Sequence, residues 1–515
     1  MTTARRSARI LRNTLSNSVG RAVSILTTFF LTPFVLHELG IAAYGVWVLA
    51  TILIGYGTLL DLGIGSAIVK YVAEARTLND LPTGRLLVAT ATRMYVVLAV
   101  VGLIMGGLLS TRVTRLVDVG SVPDHDAAIV VLFLSISFAI NLASTPTTAT
   151  LRGLQRYDLT NALTVANVLL TAALTVLVLR AGGGLVGMVA ITIPMSLATQ
   201  VVAASVVRRV QPELALHWSP VSRHEVRRLS GFGATLTVGQ LSILLQKRSS
   251  ELIVATQLSA AAVAPFSLAR RLSELPHLVS DQFIKVLLPV ASELHSAQDQ
   301  TALRHLYLVA TRVTLTLMVP LALTVSWLAA DFLELWVGAN YREYADLVVL
   351  LVGASVAFTS QWPAGAIFQG MGQFGALSVA ALVSGLSTVG LTLWWVGPYG
   401  LTGVAMGTLV PMVAEAALFT LPFSVRKLQV AWKDLLRQVV LPLVVPTFAC
   451  AGVLWLSERW TEQASWLGMT VTSLACWSVF ATIYLALPGA GEERRLAWRV
   501  LQQLARRGER EQRRD

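Results

Sequence analysis

Residues 184–195 read GLVGMVAITIPM, and residues 400–412 read GLTGVAMGTLVPM. In each, a glycine turn opens an apolar helix with a Pro-Met pair inside it. Each helix ends in a basic pair, Arg208–Arg209 and Arg426–Lys427. Upstream of the first block, Pro146 leads to Leu151-Arg152-Gly153-Leu154-Gln155-Arg156-Tyr157. Upstream of the second, Pro363 leads to Phe368-Gln369-Gly370-Met371-Gly372-Gln373-Phe374. Nearer the start, Gly20, Leu39 and Glu74 recur as Gly239, Leu258 and Glu293. Blocks that repeat in the same order at a nearly constant offset mean an internal duplication.

The duplicated segments are membrane helices. Hydrophobic residues make up 55% of the chain, charged residues only 13%, and the mean hydropathy is +0.67; a soluble chain carries about 25% charged residues. Hydropathy predicts about fourteen spans, at roughly 16–37, 44–70, 86–110, 127–148, 160–180, 184–207, 231–254, 261–290, 307–330, 344–370, 376–396, 399–424, 438–457 and 466–487. The expected fold is therefore all-α and polytopic. An even number of spans per half keeps both halves in one orientation. Two six-helix lobes follow, 1–225 and 226–435, related by a pseudo-twofold axis along the membrane normal. An extra helix pair (436–490) and a basic cytoplasmic tail (491–515) complete the chain. In the tail, Leu496, Val500, Leu501 and Leu504 fit one face of a surface helix as well as they fit a solvated tail.

The net charge of +12 is mostly a topology signal. With the N-terminus in the cytoplasm, the inner segments hold Arg5, Arg6, Arg9 and Arg12, then Lys70, Arg76 and Arg85, then Arg152 and Arg156. The 208–228 stretch, Arg426, Lys427, Lys433, Arg437 and the arginines of the tail follow. The outer loops hold only Arg112, Arg115, Arg180, Arg342 and Arg459. This positive-inside bias puts both termini in the cytoplasm and argues against nucleic acid as a partner. The first span looks too long for a cleavable signal. No G-x-x-x-x-G-K-[ST] sequence occurs, and no soluble stretch could house a nucleotide-binding domain. No catalytic constellation, cofactor or metal site is expected, and Cys450 and Cys476 read as ordinary apolar packing.

Ionisable residues inside a membrane usually face a cavity or a partner. Arg270, Glu274, His277, Asp281 and Lys285 share one face of the eighth span, with Arg271 beside them. The stripe reads either as a cavity lining or as a ladder of i,i+4 ion pairs. Span 7 adds Lys247, Arg248 and Glu251. A basic set of Arg21, Lys247, Arg248, Arg270, Arg271 and Lys285 suits an anionic substrate group, although snorkelling competes for Arg21, Lys247 and Arg248. Asp61 sits among Gly55, Gly57, Gly63 and Gly65, and Glu415 is central in span 12. With Glu251, Glu274 and Asp281 they are the candidates for ion coupling or gating.

The opening residues carry a family resemblance. Asn17, Gly20, Pro33, Leu39-Gly40, Tyr44-Gly45-Val46-Trp47, Leu60-Asp61-Leu62-Gly63-Ile64-Gly65 and Tyr71-Val72-Ala73-Glu74 follow the pattern of polysaccharide flippases. These are the O-antigen and exopolysaccharide translocases of the multidrug/oligosaccharidyl-lipid/polysaccharide exporter superfamily. Ala264-Pro265-Phe266-Ser267-Leu268-Ala269-Arg270-Arg271-Leu272 resembles the family's eighth helix. The resemblance implies translocation of a polyprenyl-pyrophosphate-linked oligosaccharide across the bacterial inner membrane by alternating access. Its implied partners are that lipid-linked oligosaccharide, membrane lipid, a coupling H+ or Na+, and other polysaccharide-assembly proteins. A peptidoglycan-precursor flippase and a multidrug extruder share the superfamily; the basic residues disfavour organic cations. A membrane polymerase or ligase is the rival from another class, and the short outer loops give it no catalytic platform.

Overall fold

A computed structural model describes residues 3–215, 221–458 and 465–487. The 491–515 tail, with its candidate surface helix, lies outside them. Among the described residues the fold is helical, with no strand, as the apolar runs require in lipid, where backbone groups must be satisfied within each segment.

Contacts divide the chain into two compact units. The first comprises 1–267 and 389–404, the second 268–388 and 405–515. In chain order the helices are α1 (Thr3–Tyr56), α2 (Ile64–Thr77), α3 (Leu81–Ser110), α4 (Val113–Leu116) and α5 (Asp124–Gly153). Then come α6 (Tyr157–Arg180), α7 (Gly184–Ala190), α8 (Thr192–Val210), α9 (Arg223–Gln257) and α10 (Ala260–Ser273). The later helices are α11 (Leu275–Ser296), α12 (Gln300–Trp327), α13 (Ala329–Val337), α14 (Ala345–Ser360), α15 (Trp362–Gly370) and α16 (Gly375–Ala414). The last are α17 (Leu421–Lys427), α18 (Trp432–Leu435), α19 (Leu441–Ser457) and α20 (Trp466–Ala486).

Ten described stretches are long and apolar enough to cross a membrane. Two of them, Gly20–Asp61 and Gly375–Lys427, bend at a left-handed glycine, Gly40 (φ 75°) and Gly400 (φ 56°), and each contains two helices. With α9 and the α10–α11 pair, whose charged residues lower their hydropathy, the helices are consistent with about fourteen spans.

The landmarks of one half recur in the other. Asp80 caps α3 by accepting from the Thr83 amide (3.2 Å), and Asp299 caps α12 by accepting from Ala302 (2.9 Å). Each such cap contributes about 1 kcal/mol. A Cβ at Gly153 would lie 2.8 Å from the Val72 side chain, and one at Gly370 would lie 2.6 Å from the Leu288 carbonyl oxygen. Only glycine lets α5 approach α2 this closely in the first unit, and α15 approach α11 in the second. Around the first contact packs a core of Ile64, Ile68, Val72, Leu87, Tyr95 and Leu142; around the second, Ala291, Leu303, Tyr307, Ile367 and Phe368.

Several expected continuous spans are interrupted, among them 44–70 and 261–290. The 44–70 span passes through a 3-10 turn at Gly57–Asp61 and two left-handed residues, Leu62 (φ 48°) and Gly63 (φ 70°). The 261–290 span divides into α10 and α11 at Glu274, because Pro276 has no N–H to bond the preceding turn. Cys450 and Cys476, expected only to pack, form a disulfide between α19 and α20 in a core with Leu443, Leu454 and Phe480. A separation of 26 residues gave no sign of the pairing, which depends on the helices' tertiary register.

Candidate functional site

The break in the second span presents Asp61 from its 3-10 turn. Tyr95, fully buried on α3, donates its hydroxyl to Asp61 Oδ1. Gly65 leaves room for this pair, since a Cβ there would lie 3.1 Å from Asp61 Oδ1 and 3.2 Å from the tyrosine oxygen. A cavity of about 520 Å³ opens beside the carboxylate, lined by Thr58, Asn141, Thr145 and Gln240 together with apolar Phe138 and Leu244. Asp61 therefore sits among hydroxyls and amides, and its hydrogen-bond partner is a tyrosine.

A second cavity in the first unit, of about 450 Å³, lies between α5, α6 and α8. Sequence reasoning passed over its residues. Ser137 and Thr192 share a hydrogen bond of 2.7 Å. Asn141 Nδ2 donates to Ser196 Oγ at 3.0 Å, and Asn167 Nδ2 to Thr199 Oγ1 at 2.6 Å. Arg152, read from sequence only as a topology marker, lines this cavity and an adjoining one of about 390 Å³ with Tyr157 and Asn161. The missed signal was spacing. Thr160, Thr164, Asn167 and Thr171 fall on one face of α6, as Asn141, Thr148 and Arg152 do on α5.

The sequence-derived charged residues fall in both units. Arg21 is half-buried on α1. On α9, Lys247 is half-buried, while Arg248 reaches Glu251 across one helical turn at 3.9 Å. Glu251 is 2% exposed and Arg248 remains half-exposed. In the second unit Arg270 is buried at 7% exposure near the end of α10, and Arg271 is half-buried beside it. Glu274 stands at the α10–α11 junction. His277 is buried, with its ring edge-to-face against Trp362 at 5.6 Å. The side chains of Asp281 and Lys285 lie outside the described part. Glu415 is half-buried and opens a single π-helical turn, Glu415–Thr420, where Thr420 donates to Gln361.

Residues 39–346 match the polysaccharide biosynthesis protein family. The chain belongs to that family. An uncharacterized membrane protein, EpsK, of Bacillus subtilis is 21% identical over 498 residues, covering 94% of this chain and 96% of its own. A putative O-antigen transporter of Shigella flexneri is 21% identical over 416 residues, covering 79% and 96%. Among solved structures, the lipid II flippase MurJ in an inward closed conformation aligns with 92% of this chain and 98% of its own. Its TM-score is 0.70 at 12% identity. An inward-facing multidrug resistance MATE transporter of the MOP superfamily aligns at TM-score 0.65 and 16% identity, covering 80% and 94%. These likenesses give this family member a MOP-type fold, and the resemblance to polysaccharide flippases holds. It is a multi-pass membrane protein of transporter rather than enzyme type.

Proposed function

We propose that this polysaccharide biosynthesis protein is a flippase. It moves a polyprenyl-pyrophosphate-linked oligosaccharide from the cytoplasmic to the periplasmic leaflet of a bacterial inner membrane by alternating access, for cell-surface polysaccharide such as the O-antigen of lipopolysaccharide. The observation that carries the reading is Arg270, a buried guanidinium on an apolar helix, with Arg271 next to it. Burying a permanent cation in a membrane protein is costly, and a bidentate anion such as pyrophosphate offsets that cost when bound. Arg21, Lys247, Arg248 and Lys285 are assigned to the same substrate. Asp61, Glu251, Glu274, Asp281 and Glu415 are assigned to coupling H+ or Na+, or to gating.

Two six-helix lobes, 1–225 and 226–435, alternate access, with the 436–490 pair outside the repeat. Both termini are cytoplasmic, a reading supported by the arginine asymmetry of the loops. A reporter active only in the periplasm, fused after Asp515, is expected to stay silent; a signal from it rejects the topology.

An inside-negative potential favours outward movement of an anionic headgroup by about 2.3 kcal/mol per charge per 100 mV crossed. The decisive experiment is net translocation of lipid-linked oligosaccharide in proteoliposomes, with lipid II and an organic cation as competing arms. Oligosaccharide export that slows when potential and ion gradients are collapsed supports the reading. Transport of lipid II alone, or of the cation alone, replaces it.

A further inference from the structure

The α5–α6–α8 cavity has a chemistry unlike the basic set. Its polar lining is hydroxyl and amide, no carboxylate is among its lining residues, and one cation, Arg152, stands at the end of α5. These groups sit within membrane-spanning helices. Against hydrocarbon Arg152 and the asparagine amides would be costly, so the face they form belongs to a cavity. The observed side-chain bonds leave capacity unused. Asn141 donates one amide hydrogen to Ser196, and Asn167 donates to Thr199 and, at 3.5 Å, to the Met195 carbonyl, while each amide oxygen offers two acceptor sites.

From Ser137 to Arg152 the cavity follows α5 for roughly 22 Å, room for a short chain of sugar rings. A neutral polyhydroxylated body with one anionic end matches this lining at both of its parts. A plain phosphate would leave the amides idle, and an organic cation would meet Arg152.

We propose that the α5–α6–α8 cavity holds the glycan of the transported lipid-linked oligosaccharide, with Arg152 against the phosphate at its reducing end. The proposal rests on the flippase reading and locates glycan recognition in the first unit, on residues outside the basic set. Arg152 is the hinge of the assignment, since it lines both the glycan cavity and the adjoining pocket with Tyr157 and Asn161.

Binding to the full-length protein in nanodiscs tests it with two probes: bare undecaprenyl pyrophosphate, and lipid-linked oligosaccharide isolated from cells that produce the protein. The wild type binds the glycosylated lipid at least about tenfold more tightly, as a few hydrogen bonds to a glycan provide. N141L with N167L brings that preference to within about twofold. R152A weakens both lipids by about tenfold, as loss of a charge-assisted contact predicts. If the double asparagine variant fails to insert, T164V with T171V, which keeps side-chain shape, is expected to remove at least about threefold of the preference. Equal wild-type binding of the two probes overturns the proposal. So does a preference that survives the amide or hydroxyl changes, or full binding by R152A. Failure of the wild type to bind either lipid instead overturns the flippase reading beneath it.

Discussion

The second span of each half breaks at a corresponding point, by different means. Gly57 and Pro276 stand at the same offset as the pairs Gly20/Gly239, Leu39/Leu258 and Glu74/Glu293. In the first half the backbone yields through a 3-10 turn and two left-handed residues, ending at Asp61, whose neighbours are a tyrosine, amides and hydroxyls. In the second half a proline interrupts the hydrogen-bond ladder, and the flanking residues are Arg270, Arg271, Glu274 and His277. The duplication kept the point where the helix gives way and changed the chemistry placed there. One half became a neutral, hydrogen-bonding region with a single carboxylate; the other became a cationic one.

If that division of chemistry is functional, its largest consequence lies in the second half. Arg270→Glu with Arg271→Glu should lower export, normalised to membrane abundance, by more than about 100-fold, because it sets two anions against the pyrophosphate. Asp61→Asn should cost about tenfold or less, since an amide still accepts from Tyr95 and only a coupling charge is lost. Equal damage from the two would erase the contrast. If Arg270 serves only to pair with Glu274, the double change Arg270→Ala with Glu274→Ala restores most of the export lost by Arg270→Ala.

The smallest expected effect concerns the breaks themselves. Gly63→Ala places a Cβ in a left-handed conformation and should destabilise the protein by about 1 kcal/mol. Pro276→Ala restores a backbone donor and should leave stability unchanged or raise it. Thermal unfolding of the two variants in detergent reads the difference. The same sign for both would mean that the two interruptions are held in the same way.

The sequence made the fold legible because a membrane leaves few choices. Runs such as 86–110 must be helical, and the arginine asymmetry is a one-dimensional pattern. The duplication was visible because Gly153 and Gly370 sit at contacts too close for any side chain. The site was only partly legible. Charged residues announce themselves on apolar helices, so Arg270, Glu251 and Asp61 stood out. The Asp61–Tyr95 pair could not be read, because residues 34 apart meet only through helix packing. The hydroxyl and amide faces of α5, α6 and α8 escaped notice because threonine and serine are common in membrane helices, where they bond their own backbone. Thr164, for example, donates to the Thr160 carbonyl at 2.9 Å. Only when three such faces converge do they define a cavity.

The π-helical turn at Glu415–Thr420 bears on how the halves diverged. From Pro411 to the basic pair at Arg426 is one residue longer than from Pro194 to Arg208. A π turn is the form in which an α-helix absorbs a single extra residue. Without it, that residue would swing everything downstream by about 100° and push it about 1.5 Å along the axis. The turn thus has the character of a healed insertion. The one-residue difference between the halves is confined to one loop of helix, and Arg426 and Lys427 still close the span as Arg208 and Arg209 do. Deleting one residue between Ala416 and Phe419 should return that stretch to α-helical pitch.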